Sequence, residues 1–322
     1  MEECFCILPT SSKGRFELLR MTQSKTEKIS MSPAIRHRRK KINWLPYQFL
    51  LPTIILLLLI NLYPFITGLI YSVREGSLIQ LEDFVGLDNY LKLLQMPEFW
   101  NALQFSFLFG LFGVAGSYLI GLVLAVLLNK DVWGKGFFRV ALLVPWIIPS
   151  VVSIVGWRWM IGDQHGLLNQ FIGLMGMDPV NFLGTENGAI FSVILIKIWR
   201  SFPFMMVTIL ASLQTINSDL YEAAKIDGAG RWACFRYITL PSIKMISIIC
   251  CILMTIWCFN DFDTIWLLTQ GGPVNATENL IILAYKYTFT KSDVGIGSAV
   301  SIVSLIILMI LAIIMLKFQE KE

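Results

Sequence analysis

The chain has 322 residues, 56% of them hydrophobic, 13% aromatic and 15% charged, and its mean hydropathy is +0.66. That balance excludes an ordinary soluble domain and predicts an integral membrane protein. A formal net charge of +4 with no extended basic arm argues against nucleic acid as a partner, and six cysteines at no zinc or disulfide spacing, with His37 and His165 apart from them, point to no metal centre.

Residues 1–44 are polar and end in the basic run RHRRKK, Arg36 to Lys41. They contain no apolar core of signal-peptide length and are predicted to form a disordered cytoplasmic tail. Residues 45–322 make the transmembrane domain. A helix satisfies its own backbone hydrogen bonds in lipid, so each nearly charge-free run of about twenty residues predicts one span. Six runs qualify: 45–73, 101–128, 140–161 with Arg158 near its end, 187–213 with Lys197 and Arg200, 245–268 with Asp261 and Asp263 in its second half, and 294–316. The predicted fold class is therefore all-α, with six transmembrane helices. Pro149 and Pro203 are expected to kink theirs.

Lysines and arginines near the span ends set direction. With the N-terminus inside, the inner segments 31–44, 129–139, 214–244 and 317–322 hold 14 basic residues, and the outer segments 73–100, 162–189 and 269–293 hold 4. Both termini are predicted to be cytoplasmic. The inner segment between spans four and five reads YEAAKIDGAGRWACFRYITLP, Tyr221 to Pro241. Ser218 and Asp219 are candidate caps for a helix starting near Leu220, Glu222 suits its positive end, and Gly228 interrupts it. A second short helix, Arg231 to Ile238, is expected before Leu240-Pro241 turns the chain into span five. Glu222, Lys225 and Asp227 would face outward while Ile226, Trp232 and Phe235 seek cover. The plainer alternative is a solvated amphipathic loop.

Glu222-Ala223-Ala224, three residues, Gly228, nine residues and Ile238-Thr239-Leu240-Pro241 together resemble the EAA loop in membrane subunits of binding-protein-dependent ABC importers. The extended run EAAKIDGAGRW, preceded by WRSFPF and LQTINSDLY, is similar to the carbohydrate-importing branch. FVGLDNY (Phe84 to Tyr90) and NDFDTIWLLTQGGP (Asn260 to Pro273) support that branch, although TQGGP departs from its usual threonine, three glycines and proline. The resemblance covers about residues 40–320. It implies a type I ABC importer permease bundle in a bacterial-type plasma membrane, with the loop at 218–241 acting as a coupling helix in a cleft of a cytoplasmic ATPase. Glu222, Ala223, Ala224, Asp227, Gly228 and Ala229 would make that contact, the small residues permitting close approach.

The implied partners are a second permease subunit, two ATPase subunits, an extracytoplasmic solute-binding protein and membrane lipid. The implied cargo is a sugar or oligosaccharide, with a polyol or glycerol phosphate as the alternative in the same architecture. No GxxxxGK[ST] phosphate loop occurs in the sequence, so ATP and Mg belong to the partner, and the chain is expected to bind no cofactor and catalyse no reaction. A secondary transporter driven by an ion gradient is the rival class. The outer loops 74–100 and 269–293 are candidates for docking the binding protein.

Lys197 and Arg200 lie on one helical face, and Asp261 and Asp263 fall at a matching depth because span five runs the other way. A cation–carboxylate cluster in the outer half of the bundle is the expectation, since unpaired charges there are costly. Trp199, Trp257 and Phe259 would offer ring faces to sugar C–H groups and Asn260 a hydrogen bond. Internal pairing and substrate contact are equally open for the two cations, and Trp157, Trp159 and Trp266 read as interfacial residues.

Overall fold

The computed structural model describes residues 45–77, 79–130, 133–162 and 166–320. The tail at 1–44, with its Arg36–Lys41 run, and His165 lie outside the described residues. The chain divides into two compact units between Leu57 and Leu58. In the first, α1 (Leu45–Leu57) is an apolar helix with exposed side chains. The second opens with a π-helical turn, Leu58–Leu62, and α2 (Tyr63–Ser72). A short antiparallel hairpin follows, β1 (Arg74–Gly76) and β2 (Leu81–Phe84), then α3 (Asp88–Gln95).

The central pair is α4 (Pro97–Leu128) and α8 (Glu186–Leu213). Small residues let their backbones approach, the device expected where no hydrophobic drive separates helix from lipid. A Cβ at Gly121 would lie 2.6 Å from the Met205 Cβ and 2.8 Å from the Met206 nitrogen. Between the pair run α5 (Lys135–Ile147), α6 (Ser150–Ile161) and α7 (Leu167–Leu174). Beyond it come α9 (Ser218–Ile226) and α10 (Arg231–Cys234), then a π-helical turn over Phe235–Thr239 and α11 (Leu240–Ser242). The chain continues through α12 (Lys244–Phe259), α13 (Asp263–Leu268), α14 (Leu280–Tyr285) and α15 (Val294–Glu320).

Four helices among the described residues are long and apolar enough to cross a membrane: Tyr47–Ser72, Pro97–Leu128, Glu186–Leu213 and Val294–Lys317. The count becomes six only if each of two bent pairs is one span, α5 with α6 at 90° and Arg231–Ser242 with α12 at 62°. One expected span bends as expected and one is corrected. In the run at 140–161 the kink expected at Pro149 is a sharp turn: Pro149 removes a donor and forces Ile148 into extended backbone, with ψ 132°. The run at 245–268 stops at Phe259 and resumes at Asp263, leaving Asn260, Asp261 and Phe262 between helices. The helix at Pro203, by contrast, continues unbroken.

Candidate functional site

The break after Phe259 is organised by Asp261. Its Oδ2 accepts from the Lys197 Nζ at 2.6 Å, with only 9% and 6% of the two side chains exposed. The same oxygen accepts from the Thr264 hydroxyl at 3.0 Å, and Oδ1 accepts from the Thr264 amide at 2.9 Å. Thr264 in turn accepts from the Arg200 Nη1 at 3.0 Å. The result is a directional chain from Arg200 through Thr264 to Asp261, closed on the far side by Lys197. The Asp261 carbonyl also accepts from the Asn279 Nδ2 at 3.1 Å, while the Asn279 Oδ1 caps α14 through the Ile282 amide at 3.0 Å. Ser106 on α4 accepts from the next amide, Leu280, at 3.0 Å. The Asp261 carboxylate thus ties α8 to α13, and its carbonyl adds the start of α14, the arrangement a buried ion requires if it is not to cost several kcal/mol.

A cavity of about 350 Å³ opens beside this hub, lined by Trp146, Lys197, Arg200, Ser201, Trp257, Asn260, Asp261, Phe262 and Asp263. Non-helical backbone at membrane depth is tolerated where it lines such a space. Trp257 stacks edge-on against Phe204, ring centroids 4.8 Å apart, and Phe204 lies 6.2 Å from the Trp146 ring, so one phenylalanine braces both tryptophans. Asp263 does not join the lysine pair. Its Oδ2 accepts from the Ser150 hydroxyl at 2.7 Å, joining the break before α6 to the break before α13. Arg158 makes a second tie between those helices, its Nη1 donating to the Leu267 carbonyl at 3.1 Å.

The expected cluster therefore splits into a closed pair, Lys197 with Asp261, and two charges anchored separately, Arg200 and Asp263. Two aromatic expectations are corrected. Trp199 is not among the residues lining the cavity and packs on Trp157, ring centroids 5.3 Å apart, and Phe259 is buried against Phe107 and Gly110. Trp146, Ser150, Thr264 and Asn279 were not anticipated. The D-x-x-T spacing of Asp261 and Thr264, a carboxylate three residues before a helix-starting amide, was the available signal for one of them.

The elbow over Ser218–Ser242 is built differently. Asn217, not Ser218 or Asp219, caps α9: its extended backbone, ψ 129°, lets the side-chain oxygen accept from the Asp219 amide at 3.0 Å, while Ser218 already lies in the helix. The helix ends in paired bonds, Gly228 N to Lys225 O at 3.1 Å and Ala229 N to Ala224 O at 2.8 Å, with Gly228 left-handed at φ +83°. Gly228 is thus demanded by backbone conformation, and a Cβ there would meet nothing of this chain within 4 Å. Glu222, Ala223, Asp227 and Gly228 are exposed, and Ala224 and Ala229 half-buried. Of the apolar residues expected to seek cover only Phe235 does; Ile226 and Trp232 are 86% and 74% exposed. The Tyr221 and Thr239 hydroxyls, 2.9 Å apart, join the first helix of the elbow to the turn that leads into α12.

The loop after α13 is held rigidly. Gln270, Gly271, Val274 and Asn275 all have positive φ, and the buried Glu278 pairs with Lys286. Burial pushes the Glu278 carboxyl above its ordinary range, with Lys286 pulling it back. Val274 stands fully exposed at the tip.

A helical membrane bundle with broken spans around a charged cavity, and with an exposed helix–glycine–helix elbow, is the build of a transport permease. Residues 117–321 match the family described as the binding-protein-dependent transport system inner membrane component, and the chain belongs to that family. It is 36% identical over 289 residues to the trehalose/maltose transport system permease protein MalF of Thermococcus litoralis, covering 89% of this chain and 97% of that protein. It is 34% identical to the sulfoquinovosyl glycerol transport system permease protein SmoG of Agrobacterium fabrum, covering 79% and 83% respectively. Among solved structures, a chain of a bacterial ABC transporter that imports the acidic polysaccharide alginate superposes with a TM-score of 0.76 at 24% identity, covering 86% of this chain and 96% of that one. The fold is that of a type I ABC importer permease.

Proposed function

We propose that this chain is the membrane-spanning permease subunit of an ATP-driven importer that carries a sugar or oligosaccharide into the cytoplasm by alternating access. It works with a second permease subunit, two cytoplasmic ATPase subunits that use ATP and Mg, and an extracytoplasmic solute-binding protein. Both termini and the elbow face the cytoplasm of a bacterial-type cell. The observation that carries this reading is the elbow: a capped, well-formed helix whose Glu222, Ala223, Asp227 and Gly228 are exposed among the described residues, fastened through Tyr221 and Thr239 to the base of α12. A helix held this way transmits force, and its unused surface requires a partner. Glu222, Ala223, Ala224, Asp227, Gly228 and Ala229 are the residues that would seat in the ATPase.

At its other end α12 carries Trp257, and the cavity beside Asn260 is the substrate pathway in this reading. Motion of the elbow with the ATPase cleft would swing α12 and reshape the cavity against α8, shifting the population between inward- and outward-open forms. The named cargoes of the relatives, trehalose and maltose for one and sulfoquinovosyl glycerol for another, support a sugar.

The test is uptake into vesicles holding the permease pair with and without the ATPase. Sugar accumulation that needs ATP, the ATPase and the binding protein is the expected result. Accumulation driven by an ion gradient with no ATPase present would overturn the assignment in favour of a secondary transporter.

A further inference from the structure

The four charges around the cavity are not equivalent. Lys197 and Asp261 are spent on each other, and Asp261 accepts two further bonds from Thr264, so this pair has little left for a ligand. Arg200 donates once, to Thr264, and its buried Nε has no hydrogen-bond partner. Asp263 accepts once, from Ser150. Both line the cavity, and neither forms an ion pair with the other or with any other described residue. Arg200 is half-buried and Asp263 exposed, in a space walled by polar side chains as well as aromatic rings. Here Arg200 is held to the α13 hub by Thr264 and Asp263 to the start of α6 by Ser150, so the two stay apart and each keeps unused hydrogen-bonding capacity.

We propose that the cavity selects a neutral polyhydroxylated ligand, with Arg200 donating to and Asp263 accepting from its hydroxyls, and that these two are the specificity-determining side chains while Lys197 and Asp261 position the wall. The inference rests on the sugar-permease reading above. A neutral ligand suits a site whose charges sum to zero: hydroxyl groups donate and accept at once, so one sugar face satisfies both the guanidinium and the carboxylate. Trp257 and Trp146 supply apolar ring surface to the ligand's C–H faces. An acidic sugar would gain from Arg200 but would place its carboxylate in a space that already holds Asp263, at a cost not repaid because Lys197 is already neutralised. Polar groups set among aromatic rings in this way fix a ligand's orientation.

The experiment uses the complete transporter, with its binding protein and ATPase, in proteoliposomes supplied with ATP and an equimolar mixture of neutral disaccharides (maltose, trehalose, lactose) and uronic-acid disaccharides. Mass spectrometry of the lumen identifies what enters. The expectation is that only neutral members accumulate. Asp263→Asn and Arg200→Gln should each lower that uptake about tenfold or more, equivalent to about 1.4 kcal/mol, through a higher half-saturating sugar concentration rather than a lower maximal rate. A merely structural role would lower the maximal rate instead. Entry of a uronate in preference to the neutral sugars, or uptake unmoved by both substitutions, overturns the inference. Failure of every sugar to enter while hydrolysis persists would instead overturn the sugar reading on which it stands.

Discussion

The hub at Asp261 and the elbow at Gly228 solve opposite problems. At the hub nearly every polar atom is used: one carboxylate takes three side-chain and backbone donors, its own carbonyl takes a fourth, and the lysine that neutralises it is buried beside it. At the elbow the backbone is equally well satisfied, by an asparagine cap at one end and a left-handed glycine at the other, but the side chains are left open. Saturated polar groups hold a wall in place; unsaturated surface on a stiff helix waits for something to grip it. Parts that must stay put and parts that must be moved are thereby separated, with α12 running between them.

The sharpest way to break this contrast is at Gly228. A Cβ there meets nothing within 4 Å among the described residues, and a tryptophan costs about 1–2 kcal/mol for the left-handed backbone, too little to stop insertion. It would nonetheless obstruct a close-fitting partner. Gly228→Trp should therefore leave the amount of protein in the membrane unchanged and reduce uptake about a hundredfold or more, as a clash worth about 3 kcal/mol at a docking surface would. Gly228→Asn, which tolerates positive φ, separates conformation from space: if it transports near the parent rate, backbone geometry decides; if it fails equally, close approach does. Near-normal uptake by the tryptophan variant would remove the elbow from the coupling path.

The next largest effect belongs to the hub and falls on stability. Asp261→Ala leaves the Lys197 ammonium buried without its counter-charge and strands Thr264, a loss of about 3–5 kcal/mol for breaking one side of a buried pair. Thermal inactivation of the detergent-solubilised protein should move sharply downward. Adding Lys197→Met should recover part of the loss, because the orphaned charge is gone, though the bonds to Thr264 and Asn279 remain unequal to the parent's. If the single and double variants were equally unstable, the lysine would contribute little and the hub's strength would lie in the hydrogen bonds around Asp261.

What the sequence disclosed follows the same division. The elbow was readable because its signals are local: an acidic helix start, small residues and a glycine stop lie within a dozen positions, and the structure moved the cap from Ser218 or Asp219 to Asn217 and left Ile226 and Trp232 exposed. The hub was half readable. Opposite running directions place Lys197 and Asp261 at one depth, and they do pair. Pro149 signalled a kink but not its 90° size, and the gap between Phe259 and Asp263 was read as continuous span, because composition does not register direction within an apolar run. Those breaks decide which side chains meet. The first brings Ser150 to Asp263, 113 positions apart, and the second presents Asp261 to Asn279, 18 apart, contacts that no local pattern encodes. Trp199 was misplaced for a related reason, since helical spacing gives a face but not the neighbour that occupies it, which here is Trp157.

The smallest effect tests whether the elbow's stiffness matters apart from its shape. Asn217→Ala removes the side-chain oxygen that accepts from the Asp219 amide at 3.0 Å, a loss of about 1 kcal/mol of local helix stability. Nothing at the hub depends on it, so the inactivation temperature should barely move. Amide exchange over Ser218–Ile226 should accelerate about fivefold, the factor that corresponds to 1 kcal/mol of easier opening. Uptake should fall by less than that factor, because a partner that grips the helix restores most of the lost order on binding. Asn217→Asp keeps an accepting oxygen and should behave like the parent in both measurements. An alanine variant with faster exchange and unchanged uptake would mean that the elbow's order comes from its partner rather than from its own cap, and that the chain supplies the shape alone.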